Sequence, residues 1–240
     1  LNPAYRQDEF AFYLEDLKAR AIILAAGETG PAHAAAVAQD LTVIRLSFDA
    51  DMPAGSFTLT PEGHAGTADT SAPGADDVAL ILHTSGTTSR PKIVPLLQSN
   101  VAASARHIGA SLALSPADRC LNVMPLFHIH GLIAAISSSL AAGGSVWCAP
   151  GFDAMKFFGW MEDARPTWYT AVPTMHQTIL ARASRNAETI KSVPLRFLRS
   201  SSASLPGPVM QQLAATFNAP VIEGYGMTED RKSTRLNSKR

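Results

Sequence analysis

Residues Cys120–Ala149 read CLNVMPLFHIHGLIAAISSSLAAGGSVWCA, and their order decides the fold. CLNVM (120–124) is a short apolar run of the kind that forms a buried strand. Leu132–Ala142 follows as a helix, Gly143-Gly144 breaks it, and SVWCA (145–149) is a second strand. Strand, helix, strand is the repeating unit of a parallel sheet. Ser137-Ser138-Ser139 and the glycine pair interrupt the apolar stretch Leu132–Ala149, which argues against a membrane span.

The same alternation extends in both directions. Downstream come a helix at Asp153–Ala164, strand TWYTAV (167–172) and a helix at Pro173–Ser184. Strand LRFLRS (195–200), a helix at Pro206–Phe217 and strand PVIEGYG (220–226) close the series. Upstream, Val78–His83 is a strand and Gln98–Leu112 a helix. Near the start, Phe10–Arg20 is an amphipathic helix, followed by strand AIILAA, an alanine-rich helix from Pro31 to Gln39, and strand TVIRLSF. Asp49–Asp77, rich in Gly, Pro, Ala, Asp and Thr, reads as a connecting stretch. The expected fold is α/β, with mainly parallel sheets and helices on both faces.

The chain has 240 residues, 46% apolar and 17% charged, an ordinary globular composition. Its formal charge is zero but unevenly placed. The last ten residues, RKSTRLNSKR, hold five of the twenty basic residues and no acid. The remainder carries fifteen basic against twenty acidic residues, a net charge of −5, which argues against a nucleic-acid surface. Cys120 and Cys148 sit in apolar runs without metal-ligand spacing and read as buried free thiols in a reducing compartment. No signal peptide opens the chain. It begins at Leu1 in mid-pattern, so an upstream start is expected; the location expected is cytoplasmic, or peroxisomal in a eukaryote.

The segment ALILHTSGTTSRPKIVPL (79–96) stands apart. Thr84, Ser85, Thr87, Thr88 and Ser89 supply hydroxyl donors, Gly86 lets amides turn toward an anion, and Lys92 adds a point charge. Placed at the carboxyl end of a parallel strand, such a loop suits a polyphosphate. Pro91 keeps its exit rigid. The G-x-x-x-x-G-K-[ST] pattern is absent, which disfavours a P-loop kinase or GTPase. From these residues alone, a solvent-facing Ser/Thr turn is an equal alternative.

TSGTTSRPK resembles the phosphate loop of the adenylate-forming superfamily, usually TSGTTGxPKG, with Ser89 and Ile93 at the two later glycine positions. Three more segments resemble that superfamily in the same order: MPLFHIHG (124–131), RSSSASL (199–205) and EGYGMTE (223–229). HTSGTTSRPK, PLFHIHGL, TWYTAVPTMHQ and SASL are similar to the oxalyl-CoA synthetase branch, where Ser89 is an expected variant. LNPAYRQDEFAFYLEDL resembles the upstream part of the same enzymes, so the likeness runs over roughly residues 1–229.

The resemblance implies an ATP-dependent acid–CoA ligase. A carboxylate joins the α-phosphate of ATP, pyrophosphate leaves, and coenzyme A takes the acyl group as a thioester. Lys92 and the loop Thr84–Ser89 are expected around the β- and γ-phosphates, with Thr228 on the α-phosphate and Glu229 as ligand of Mg2+. Glu223, Gly224, Tyr225 and Gly226 are expected on one side of adenine, with Tyr225 stacking, and Ser202 and Ala203 on the other. Glu229 alone would read as a solvated acid, and Tyr225 alone as core. His128 has two open roles, contact with the carboxylate substrate or gating of the acyl channel. His130 is expected to bind the second carboxylate of a small diacid such as oxalate, with a structural histidine as an equal alternative. HIH on a strand would place both rings on one face and could hold a metal, though the flanks favour an acyl site.

The partners so implied are a small carboxylic acid, ATP and CoA, with neither nucleic acid nor membrane. Residues 1–230 read as part of an AMP-binding domain. The resemblance also implies a C-terminal domain with a catalytic lysine, and residues 1–240 are expected not to include it. Residues 231–240 resemble translated adapter sequence, with a basic disordered tail as the alternative. Little ligase activity is expected of these 240 residues alone. The alternatives are another acyl-CoA synthetase, an amino-acid adenylation domain, or a non-catalytic nucleotide-binding remnant. The adenylation domain would carry an acid near the TWYTAVP segment, and none stands there.

Overall fold

A computed structural model of the chain describes residues 1–63, 71–84 and 91–226. It has two compact units, Leu1–Ser71 and Ala72–Arg240.

The first unit contains α1 (Gln7–Asp16), β1 (Ala21–Ala25), α2 (Pro31–Ala38), β2 (Thr42–Ser47) and β3 (Thr58–Pro61). Strands β1 and β2 pair in parallel, and β3 adds antiparallel to β2 with Leu46 opposite Leu59. The expected helix Phe10–Arg20 starts earlier and stops earlier, because Lys18 takes a left-handed φ of 50° that ends it. The side chain of Glu9 accepts from the backbone N–H of Arg6 and closes the first turn. Phe10, Leu14 and Ala35 form the small core, and the alanines of α2 let it lie close to α1. β3 lies inside the supposed connecting stretch, and its four exposed residues give it no apolar signature.

The second unit opens with a hairpin. β4 (Val78–Thr84) pairs antiparallel with β5 (Lys92–Leu97) in a sheet of two strands. This corrects the reading of Thr84–Lys92 as the exit of a parallel strand: Thr84 and Lys92 are cross-strand partners at a hairpin end. Val94 and Leu96 point inward and are buried, whereas Ile93 is exposed opposite His83. Leu80 of β4 packs into the cluster around Ile108, Trp168 and Phe197.

A five-stranded parallel sheet follows, of β6 (Arg119–Asn122), β7 (Ser145–Cys148), β8 (Trp168–Ala171), β9 (Phe197–Ser201) and β10 (Val221–Gly224). Its order is β10-β9-β8-β6-β7. The helices are α3 (Gln98–Ser111), a π-helix (His130–Ser137) running into α4 (Ser138–Ala141), α5 (Phe157–Ala164), α6 (Pro173–Ala183), α7 (Ala187–Ser192) and α8 (Gly207–Phe217). α5 begins at Phe157 rather than Asp153, because Asp153 accepts from the N–H of Met155 and makes a turn.

Alternate residues of each strand serve opposite faces. Trp168 and Phe197 stack on each other under α3 and the π-helix, while Tyr169 and Leu198 face α5, α6 and α8. The helices that follow β6 and β8 therefore leave on opposite faces. At that reversal of winding lie the carboxyl ends of β6 and β8, the usual ligand position in such sheets. No helix of the described residues is long and apolar enough to cross a membrane. Cys120 is buried as expected, but Cys148 is exposed at the end of an edge strand.

Candidate functional site

The segment after β6 leaves the sheet at the carboxyl ends of its strands. His128 is exposed there, with its ring 4.6 Å from that of Phe127. His130 turns inward and is buried at the first position of the π-helix. The wider π turn coincides with a close approach: a Cβ on Gly131 would stand 2.5 Å from the carbonyl oxygen of Pro125. The hydroxyls of Ser137, Ser138 and Ser139 donate to the carbonyls of Leu132, Ala134 and Ala135. The serine run is thus absorbed within the helix.

His130 meets three residues from the ends of β8 and β9. Its Nε2 lies 2.6 Å from Oγ1 of Thr170 and 3.1 Å from Nη1 of Arg199. Its Nδ1 lies 3.0 Å from Oγ of Ser202. A guanidinium only donates, so Nε2 accepts and Nδ1 carries the proton toward Ser202. Arg199 also donates to Thr170 across 3.3 Å. Thr170 and Arg199 are buried and Ser202 is exposed, so the cluster runs from the interior to the surface at the strand ends.

Ser202 has φ of 76°, a left-handed conformation that side chains disfavour and that clusters at functional sites. The backbones on either side of it are tied together. The hydroxyl of Ser201 donates to the carbonyl of Gly224 at 2.7 Å, and Glu223 accepts from the N–H of Leu205 at 2.8 Å. Ser202 and Ala203 thus leave β9 beside the point where Tyr225 and Gly226 leave β10. Tyr225 is 67% exposed. An open aromatic ring beside small residues fits the flat face of a purine.

His176, on α6, braces this region from the other face of the sheet. Its Nε2 donates to the carbonyl of Arg199 at 3.2 Å, and its Nδ1 accepts from the hydroxyl of Tyr169 at 3.0 Å. Burial pushes its pKa down to about 4, so the ring is neutral and fixed in one tautomer. Burial likewise pushes the Tyr169 hydroxyl well up, which keeps it a donor.

The fold therefore brings together His130, Ser202, Ala203, Glu223, Gly224, Tyr225 and Gly226, with His128 on the segment leading in. Thr84 and the exposed Lys92 form a second group on the hairpin. Ser85, Gly86, Thr87, Thr88 and Ser89, like Thr228, Glu229 and residues 231–240, lie outside the described residues. Among the described residues no group of three or more His, Cys, Asp and Glu could hold a metal. Thr170 and Arg199 escaped the sequence reading. The available signal was an arginine in a strand, FLRSS, that is buried throughout.

A family model described as AMP-binding enzyme matches residues 1–231. The chain belongs to this family. It is 42% identical to an oxalate–CoA ligase of Arabidopsis thaliana over 235 residues, 95% of this chain and 45% of that protein. It is 37% identical to an oxalate–CoA ligase of Saccharomyces cerevisiae, over 95% of this chain and 46% of that one. The crystal structure of ATP-bound MatB from Rhodopseudomonas palustris superimposes with a TM-score of 0.75 and 30% identity, over 96% of this chain and 44% of MatB. This member of the AMP-binding enzyme family thus spans a little under half the length of the relatives it matches.

Proposed function

We propose that this chain is the nucleotide- and acid-binding part of an ATP-dependent, AMP-forming acid–CoA ligase whose acid is small and doubly charged, with oxalate the first choice. The observation that carries the reading is the cluster of His130, Thr170, Arg199 and Ser202 at the strand ends. Similarity to oxalate–CoA ligases supports it.

The first half-reaction brings a carboxylate oxygen to the α-phosphorus of ATP, and the bond from that phosphorus to pyrophosphate breaks. Two anions must meet, so donors and positive charge have to be in place beforehand. Lys92 and the hydroxyl-rich loop that starts at Thr84 receive the leaving pyrophosphate. Ser202 and Ala203 face Tyr225 across the purine, and Gly224 and Gly226 keep the approach open. Thr228 donates to the α-phosphate. Magnesium, when bound, offsets phosphate charge, and Glu229 is the residue that would hold it. The thiol of CoA then displaces AMP from the acyl group.

His128, exposed where the segment after β6 opens, guides the reacting carboxylate. Arg199, His130 and Ser202 take the second carboxylate through charge-assisted hydrogen bonds. An alkyl chain brings these polar groups no charge or acceptor in exchange for the water it displaces, which disfavours fatty acids.

The test is pyrophosphate release by the full-length protein that carries this chain, with ATP, CoA and a panel of oxalate, malonate, acetate and hexanoate. Oxalate or malonate should give the highest kcat/KM, and His130→Ala should raise its KM about tenfold. Preference for hexanoate, or no release with any acid, would refute the reading.

A further inference from the structure

Glu223 is the only acid on the strands that bear the cluster, β8, β9 and β10, and its side chain is half-buried. A carboxylate pointing at a triphosphate would repel it. Instead, one oxygen accepts a 2.8 Å hydrogen bond from the backbone N–H of Leu205. Leu205 is 5% exposed, whereas Ser202, Ala203 and Ser204 before it are all exposed. The bond therefore runs from β10 to the far anchor of the turn that follows β9. The near anchor is the 2.7 Å bond from Ser201 to the carbonyl of Gly224. Between these anchors Ser202 keeps its left-handed φ of 76° and its place 3.0 Å from Nδ1 of His130. Such a conformation persists only where the surroundings impose it.

We propose that Glu223 is a positioning residue: its bond to the Leu205 amide holds the turn 202–204 in the shape that lines the nucleotide, and its carboxylate does not itself touch the nucleotide. This rests on the nucleotide-binding role proposed above for Ser202 and Ala203. It separates Glu223 from Tyr225 and Gly226, its neighbours in the same motif. The bond needs an acceptor oxygen and no charge, so glutamine can replace glutamate, and alanine cannot.

The experiment uses the full-length protein with Glu223→Gln and Glu223→Ala. Hydrogen exchange at the Leu205 amide reads the tie directly, without any reaction. Protection should match wild type in the Gln variant and fall by about tenfold in the Ala variant. The KM for ATP should rise about tenfold in the Ala variant with kcat changed less than about threefold, and the Gln variant should restore both. Unchanged exchange in the Ala variant would overturn the tie. Faster exchange with an unchanged ATP KM would overturn its link to the nucleotide. A Gln variant as impaired as the Ala variant would show that the charge matters and overturn the positioning role. If wild type releases no pyrophosphate with any acid, the ligase reading fails, and the exchange data still decide whether Glu223 holds the turn.

Discussion

The guanidinium of Arg199 lies so close across Gly224 that a Cβ on that glycine would stand 2.6 Å from Nη2. The position has an ordinary φ, so the glycine is required by the approach of the arginine and not by a turn. This links the cluster around His130 to the strand that leads into Tyr225.

Gly224→Ala should accordingly act through Arg199. The end of an arginine can move where backbone cannot, so the fold should survive, at about 1–3 kcal/mol of stability. In moving, the guanidinium gives up its contacts at 3.1 Å to His130 and 3.3 Å to Thr170. The KM for the acid should rise about tenfold. Denaturant titration and steady-state kinetics check both, and an unchanged acid KM would remove Arg199 from the acid site.

His176 makes stability depend on mildly acidic pH. Its pKa of about 4 in the folded protein lies below the ordinary value of about 6.5 in the unfolded chain. Between those values the unfolded chain binds more protons, so stability falls as pH drops from about 6.5 to about 4, by up to about 3 kcal/mol. Below about 4 this contribution levels off. His176→Gln should flatten the slope in that window while costing stability at neutral pH. Urea midpoints measured across pH 7 to pH 4 test it.

β6 and β8 were legible because they are buried almost throughout and read as short continuous runs in CLNVM and TWYTAV. β5 was not, because Pro95 inside KIVPLL reads as a break. A two-stranded sheet makes every strand an edge, and there a proline is tolerated. The π-helix left no periodic trace, since it goes with the meeting of Gly131 and the Pro125 carbonyl, a contact between backbones. Within the candidate site, His130, Ser202 and Tyr225 were singled out through motifs. Arg199 and Thr170 looked like strand interior, and only the fold shows that their side chains converge on His130.

Gly131→Ala should be far more damaging than Gly224→Ala. The added Cβ would meet the Pro125 carbonyl at 2.5 Å and the Met124 carbonyl at 3.2 Å, and neither can swing aside as a side chain does. The first turn of the π-helix would have to shift and carry His130 with it. A loss of about 3 kcal/mol or more, seen as a lower denaturation midpoint or lost soluble yield, is expected. A variant with wild-type stability would mean that the helix start is loosely held.

Asp118 adds a pH signature of the same sign in a more acidic window, at the other end of the sheet. It precedes β6, and its oxygens accept from Thr167 at 2.8 Å, from Arg196 at 2.9 and 3.1 Å, and from the N–H and hydroxyl of Ser115 at 2.8 and 3.0 Å. Burial alone would raise its pKa, but the bonds from Thr167, Arg196 and Ser115 outweigh it and hold the carboxyl below its usual value. A depressed folded value contributes stability that is complete above the unfolded value of about 4 and is lost as pH falls through the folded one. Asp118→Asn replaces one acceptor by a donor facing donors, and should cost about 2–3 kcal/mol at pH 7. The gap between wild type and variant should narrow below about pH 4, which urea titrations at pH 7 and pH 3 would detect. Thr167 and Arg196 lie just before β8 and β9, so the network sits at the amino ends of strands whose carboxyl ends carry the cluster around His130. The folded variant should therefore keep the wild-type KM for ATP and for the acid. A raised KM would mean that the sheet transmits strain along its strands from one end to the other.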